Sequence, residues 1–182
     1  TTILSATTPR EKIERLNEWR NRVGHKQAQA ITTEAAGRGT RMHKWLEDYI
    51  KTGQIGTPGS NPYSIQSHKM AESIIYQGLS KCNEFWGTEV GLYFPKVYAG
   101  TTDLVCRINN EIWIIDHKTS NHMQTTYELQ AAVYAHCYEE CFGVKPDKTG
   151  ILWLKSNKRK GSKDKMQGKG WEMVLPTRTQ EE

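Results

Sequence analysis

The chain has 182 residues, 36% hydrophobic and 25% charged, an ordinary balance for one folded domain that buries a real core. Its formal net charge is +5 and its pI near 9.0, which permits a polyanionic partner without requiring one. No apolar run reaches the ~18 residues of a membrane span, and the N-terminus TTILSATTPREK lacks the basic-then-apolar layout of a secretory signal, so membrane insertion and secretion are both disfavoured.

In chain order, Thr8-Pro9-Arg10-Glu11 reads as a helix start, with Thr8 at the cap, Pro9 in the first turn and Glu11 closing a capping box. Ile13, Leu16, Trp19 and Val23 recur at helical spacing up to Gly24. A second, short helix is expected over Lys26–Ala36. After Gly37 and Gly39, Thr40 is placed to cap a third, striped by Met42, Trp45, Leu46, Tyr49 and Ile50. TGQIGTPGSNP (52–62) is a loop on its Gly, Pro and Asn content, and a fourth helix follows over about 64–83. The period then changes. Residues 88–94, 97–108 and 111–118 read as strands, 126–142 as a helix stopped by Gly143, and about 149–155 and 170–175 as two further strands around a basic loop. Helices, three strands, a helix and two strands predict an α/β (α+β) fold with a mixed sheet in a single domain: a helical region over 1–83, placed to cover a site, and an αβ core over 84–176.

Four cysteines (Cys82, Cys106, Cys137, Cys141) form no CxxC pair, which favours reduced thiols over a metal knot. The absence of an initiator Met suggests a trimmed chain. The expected location is cytoplasmic, a host cytoplasm if the chain is phage-encoded, or the mitochondrial matrix if a targeting segment was removed.

The stretch GTTDLVCRINNEIWIIDHKTS (100–120) carries the chemistry. If Asn109-Asn110 is a two-residue hairpin loop, Ile108 faces Glu111, and counting back sets Asp103 opposite Asp116 and Thr101 opposite Lys118. Alternation places Lys118 on the face of the two acids and turns His117 away. Opposed carboxylates on a largely apolar hairpin repel unless a hard divalent cation such as Mg²⁺ bridges them. Two carboxylates, a cation and a lysine suit hydrolysis of a phosphodiester, because they stabilise charge on phosphorus; no Ser or Cys beside a base suggests acyl transfer.

Gly100-x-x-Asp103 followed by Asp116-His117-Lys118-Thr119 resembles the signature of the PD-(D/E)XK nuclease superfamily, RecB-like branch. Gln130-Ala-Ala-Val-Tyr134 matches that branch's Gln-x-x-x-Tyr helix, and His43 in GRGTRMHKWLEDYI matches its helical histidine. The opening segment, the His43 helix, Glu89, the hairpin and YELQAAVYA occur in the order found in the mitochondrial genome maintenance exonuclease family and its phage relatives, over roughly residues 1–155. One departure is the end of the chain at TRTQEE, where that family continues into a helix. The resemblance implies a restriction-endonuclease-like core and a Mg²⁺- or Mn²⁺-dependent exonuclease acting on single-stranded DNA with free ends, in replication, repair or recombination. By the same carry-over, His43, Asp103, Asp116 and the His117 carbonyl bind metal, and Lys118 is catalytic. Glu89 is an acid of the site. Gln130 supports the lysine strand or the DNA backbone, with Tyr134 beside it. No organic cofactor is implied, and a monomer is favoured. The alternatives are a RecB-like nuclease acting on duplex ends or internally, and a DNA-binding module without turnover.

Among the remaining residues, His43 and Glu47 share a helix face, and Arg38 and Arg41 flank Gly39 as candidate phosphate contacts. The basic loop 155–170, with Lys158, Arg159 and Lys160, is a solvated hairpin tip on the ordinary reading and a phosphate contact on the functional one. Trp45 and Trp86 lie near helices and are not assigned to base stacking.

Overall fold

Three helices precede the sheet: α1 (Arg10–Val23), α2 (His25–Thr52) and α3 (Pro62–Gln77). The computed structural model describes residues 8–120, 123–154 and 172–174; the expectations placed on the basic loop, including Lys158, Arg159 and Lys160, lie outside those residues. Pro9, with φ −59°, takes the cap position of α1, so the helix starts one residue later than a capping box would set it. Gly24, at φ +85°, turns the chain directly into α2.

The sequence predicts two helices between residues 26 and 50, and the structure has one, 28 residues long. Gly37 and Gly39 do not break it. Each glycine costs a helix about 1 kcal/mol, but neither takes a positive φ and no proline accompanies them. The turns on either side are anchored, since Ala28, Met42 and Leu46 are buried. Thr40, expected as a cap, bonds back to the Ala36 carbonyl within the helix at 3.2 Å. α3 starts at Pro62, where the Asn61 side chain accepts the Tyr63 N–H at 2.9 Å, and gives way to a 3₁₀ turn at Leu79–Lys81.

The strands are β1 (Glu84–Phe94), β2 (Tyr98–Ile108), β3 (Glu111–Lys118), β4 (Lys148–Trp153) and β5 (Glu172–Val174), with α4 (Thr125–Phe142) between β3 and β4. They form one mixed sheet in the order β1-β2-β3-β4-β5. β3 and β4 are parallel, which requires a crossover, and α4 supplies it; the other pairs are antiparallel. Asn109 and Asn110 take φ of +51° and +66°, the left-handed pair that a two-residue hairpin needs. The register runs from Ile108↔Glu111 to Leu104↔Ile115, as the sequence arithmetic requires.

Alternation along β2 and β3 builds a core on each face of the sheet. Leu104, Cys106, Trp113 and Ile115 pack against Met42 and Leu46 of α2 and Ile74 and Ile75 of α3. Leu92, Val105 and Ile114 pack on the other face against Tyr134, Ala135 and Tyr138 of α4. The result is a mixed α/β arrangement, helices on both sides of a mixed sheet. Among the described residues, no helix is long and apolar enough to cross a membrane.

Candidate metal centre

The β2–β3 ladder is regular up to Leu104↔Ile115 and then opens. The continuous pairing counted from sequence, which would set Asp103 and Thr101 squarely against Asp116 and Lys118, does not extend beyond that point. The cause is visible at the next residue. The His117 backbone N–H donates to Asp103 Oδ2 at 2.6 Å, so a side-chain carboxylate takes the bond a strand carbonyl would accept. Asp103 therefore reaches into the gap between the strands, and its other oxygen turns toward α2.

There it meets His43. Asp103 Oδ1 lies 3.4 Å from His43 Nδ1, and Glu89 Oε1 lies 4.0 Å from the same nitrogen. His43 Nε2 is 3.1 Å from the His117 carbonyl oxygen. A carbonyl can only accept, so Nε2 carries the proton of that bond and the neutral ring presents the Nδ1 lone pair to two carboxylates. Such an arrangement needs a positive species between the groups, either a second ring proton or a cation. A metal-ligating histidine is held in the same way, one ring nitrogen donating to a carbonyl and the other facing the ion. The donor atoms of His43, Glu89 and Asp103 lie within 4.8 Å of one another, close enough for the three residues to share a metal ion.

Glu89 reaches this group through an unusual backbone. It takes φ +51° inside β1, past an irregularity in the β1–β2 register between Phe85 and Gly87. A left-handed residue within a strand stores strain of about 1–3 kcal/mol, and such residues concentrate at functional sites. Thr88 fastens the neighbouring turn, its hydroxyl donating to the Asp103 carbonyl at 3.0 Å.

Asp116 stands outside the three-residue group, although the sequence expectation made it Asp103's partner on the ion. It is buried, and its Oδ2 lies 2.6 Å from Lys118 Nζ. The two acids still sense each other. Burial first, and then the Asp103 charge, raise the Asp116 carboxyl to about 6 against the opposing pull of Lys118. Burial also works to raise Asp103, but the His43 hydrogen bond and charge, with His117, outweigh it and hold that carboxyl down at about 2. His43 is raised overall, Asp103 outweighing the burial that opposes its charge. The His117 ring does not leave the acids as alternation predicts: its Nδ1 lies 3.9 Å from Asp103 Oδ2. It meets His43 edge-on at 5.9 Å, and burial lowers it to about 4.

The remaining sequence candidates divide by burial and partner. Gln130 and Tyr134 are both buried, and Gln130 Nε2 donates to the Tyr134 hydroxyl at 2.9 Å, so they join each other inside the α4 face. Arg41 is engaged by Glu34 at 2.9 Å and by the Ser67 hydroxyl at 3.3 Å, and Arg38 is half-buried. Glu47 pairs with Lys44 and Lys51. Trp45 packs against the core, and Trp86 is exposed with its indole N–H on Glu84. One side chain escaped the sequence reading: Tyr127, whose ring centroid lies 5.1 Å from Lys118 Nζ. Its only sequence signal is a place in the first turn of the helix that follows the lysine strand.

No family model matches the chain, and no curated protein matches it. Among solved structures, the crystal structure of SSO0001 is similar at 16% identity over 76% of each chain, with a TM-score of 0.34, too slight a likeness to carry an argument.

Proposed function

We propose that the chain is a Mg²⁺- or Mn²⁺-dependent exodeoxyribonuclease of the PD-(D/E)XK superfamily, RecB-like branch, taking single-stranded DNA with a free end. The observation that carries this reading is the convergence of His43, Glu89 and Asp103 within 4.8 Å, beside the Asp116–Lys118 ion pair. A hairpin bearing Asp103, Asp116 and Lys118 in a mixed sheet flanked by helices supports it too. DNA as substrate rests on the resemblance carried by the sequence motifs, with the net charge of +5 in agreement.

His43, Glu89 and Asp103 would hold the cation, with Asp116 beside them. When bound, a divalent cation supplies Lewis acidity, polarising a phosphoryl oxygen and lowering the pKa of water. The residues of the chain do the rest. Asp103 is ionised throughout the neutral range, so it is ready as a donor without releasing a proton. The His117 carbonyl fixes the His43 ring so that Nδ1 faces the acids. Asp116 holds the Lys118 ammonium in place, and Lys118 balances the charge that grows on the phosphate as its bond to the leaving oxygen breaks.

The test is cleavage of end-labelled linear and of circular single-stranded DNA, each with Mn²⁺, Mg²⁺ or EDTA. Linear-only, metal-dependent degradation is the expected result. Cutting of circles makes the chain an endonuclease, DNA binding without cleavage makes it a binding module, and inertness toward both substrates ends the reading.

A further inference from the structure

We propose that Tyr127 is a positioning residue for Lys118, holding its ammonium over an aromatic face, and that α1 secures Tyr127 through Lys12 and Gln124. Lys118's part in cleavage rests on the nuclease reading above; the contact itself does not.

Lys118 ends β3, and Tyr127 stands in the first turn of α4. The ammonium is held from two sides, by Asp116 Oδ2 at 2.6 Å and by the Tyr127 ring at 5.1 Å to its centroid. The two supports differ in kind. A carboxylate beside an ammonium cancels its charge. A ring face attracts the cation through its quadrupole, taking no acceptor lone pair and adding no negative charge. A second carboxylate there would neutralise the charge that an incoming phosphate needs. A ring instead restrains a long, flexible side chain and leaves its charge for the substrate.

The ring is itself tied down. Gln124 Nε2 donates to the Tyr127 hydroxyl at 3.1 Å, and Lys12 Nζ donates to Gln124 Oε1 at 2.5 Å. The Tyr127 N–H also returns to the Gln124 carbonyl at 2.9 Å. A chain of contacts thus runs from α1 to Lys118, joining residues 112 apart in sequence at its Lys12 end.

Two measurements separate this proposal from the nuclease reading. The first needs no activity. In EDTA, melting temperatures of Tyr127→Leu, Lys118→Met and the double variant form a cycle, and the double variant should melt about 2 °C above the additive expectation, the size of one exposed cation–ring contact in a chain of this length. Additive melting overturns the proposal whatever the protein does to DNA. The second is the single-turnover rate on end-labelled single-stranded DNA with Mn²⁺, beside the Kd for that DNA in EDTA. Tyr127→Leu should lose about tenfold in rate with Kd nearly unchanged, because the ring acts on the lysine and not on binding. Tyr127→Phe keeps the face and should recover most of the rate, and Lys12→Met should fall between Phe and Leu. Equal rates for Leu and wild type overturn the proposal if Lys118→Ala is inactive, as does equal damage from Leu and Phe. A fully active Lys118→Ala sinks the assigned role of the lysine instead, leaving the melting cycle to decide the contact.

Discussion

At the residue scale, burial treats the two acids of the hairpin differently, and the difference is measurable. Asp103 has His43 and a backbone N–H to answer its charge, so its ionised form stabilises the fold above the ordinary carboxylate range and is lost as pH falls toward about 2. Asp116 lies at about 6, above its unfolded value, so the native state binds that proton more tightly than the unfolded chain does. Stability therefore falls as pH climbs from about 4 to about 6 and stays lower beyond. Without metal, Asp116→Asn should melt at or above wild type at about pH 7.5, with the advantage gone by about pH 4. On the proposed nuclease reading, the same variant should lose cleavage. Its opposing cost, an ammonium without its carboxylate, is limited because Lys118 is 19% exposed and keeps the Tyr127 ring. A lower melting temperature in EDTA at neutral pH would show that the lysine's charge dominates the pair. The residues proposed to hold metal make a second prediction. Mutating even an outer partner of a ligand costs about 10–100-fold in affinity, so His43→Ala should weaken Mn²⁺ binding at least about tenfold by calorimetry. Glu89→Gly should weaken it too, yet leave the metal-free fold no less stable. Relief of a left-handed φ is worth about 1–2 kcal/mol, against the ~0.5–1 kcal/mol that glycine's entropy costs.

At the scale of elements, Gly100 shows how closely β2 runs beneath α4. A Cβ there would lie 2.9 Å from Tyr134 Cε1 and 3.0 Å from the Tyr98 hydroxyl, with no positive φ involved, so the constraint is space alone. Gly100→Ala should destabilise by about 1–3 kcal/mol in urea titration, the cost of overpacking. Gly91, on the neighbouring strand, has nothing within 4 Å of its Cβ position, and Gly91→Ala should be neutral or stabilising. The hairpin that carries Gly100 was also the most legible element of the sequence. Asn109-Asn110 set its register, because a two-residue loop with both residues left-handed fixes Ile108 opposite Glu111. The opening beyond Leu104 was not legible: a side chain competing for a strand N–H is a tertiary event that no local pattern encodes. Glu89's left-handed turn was equally hidden. The sequence placed Glu89 among the acids of the site, but no residue pattern around it signals the positive φ it takes inside β1. The glycines of α2 misled in the opposite sense, since buried turns on either side outweigh a local cost of about 1 kcal/mol each.

At the scale of the whole molecule, the site divides between parts of very different attachment. The residues that would hold metal stand on α2, β1 and β2, joined to the cores on the two faces of the sheet. Helix α1 buries no residue; its Ile13 and Leu16 are 47% and 41% exposed, and it meets α2 across the Gly24 turn. Leu16→Ala should therefore cost less than about 0.5 kcal/mol, whereas Ile74→Ala, at a fully buried position of α3, should cost about 2–5 kcal/mol. The same contrast should appear in native-state hydrogen exchange followed by mass spectrometry. Amides of β3 and β4, central in the sheet and covered on both faces, should open only with global unfolding. Those of α1 should open at much lower free energy, because little buried apolar surface opposes its detachment. Among the described residues, the bond from Lys12 to Gln124 links α1 to the residue before α4. Lys12→Met should speed exchange in α1 and leave β3 unchanged. Exchange of α1 at the same free energy as β3 would mean that the helix belongs to the core unit, and the bond at Lys12 would then be an ornament on a rigid body, with no influence on the lysine that ends β3.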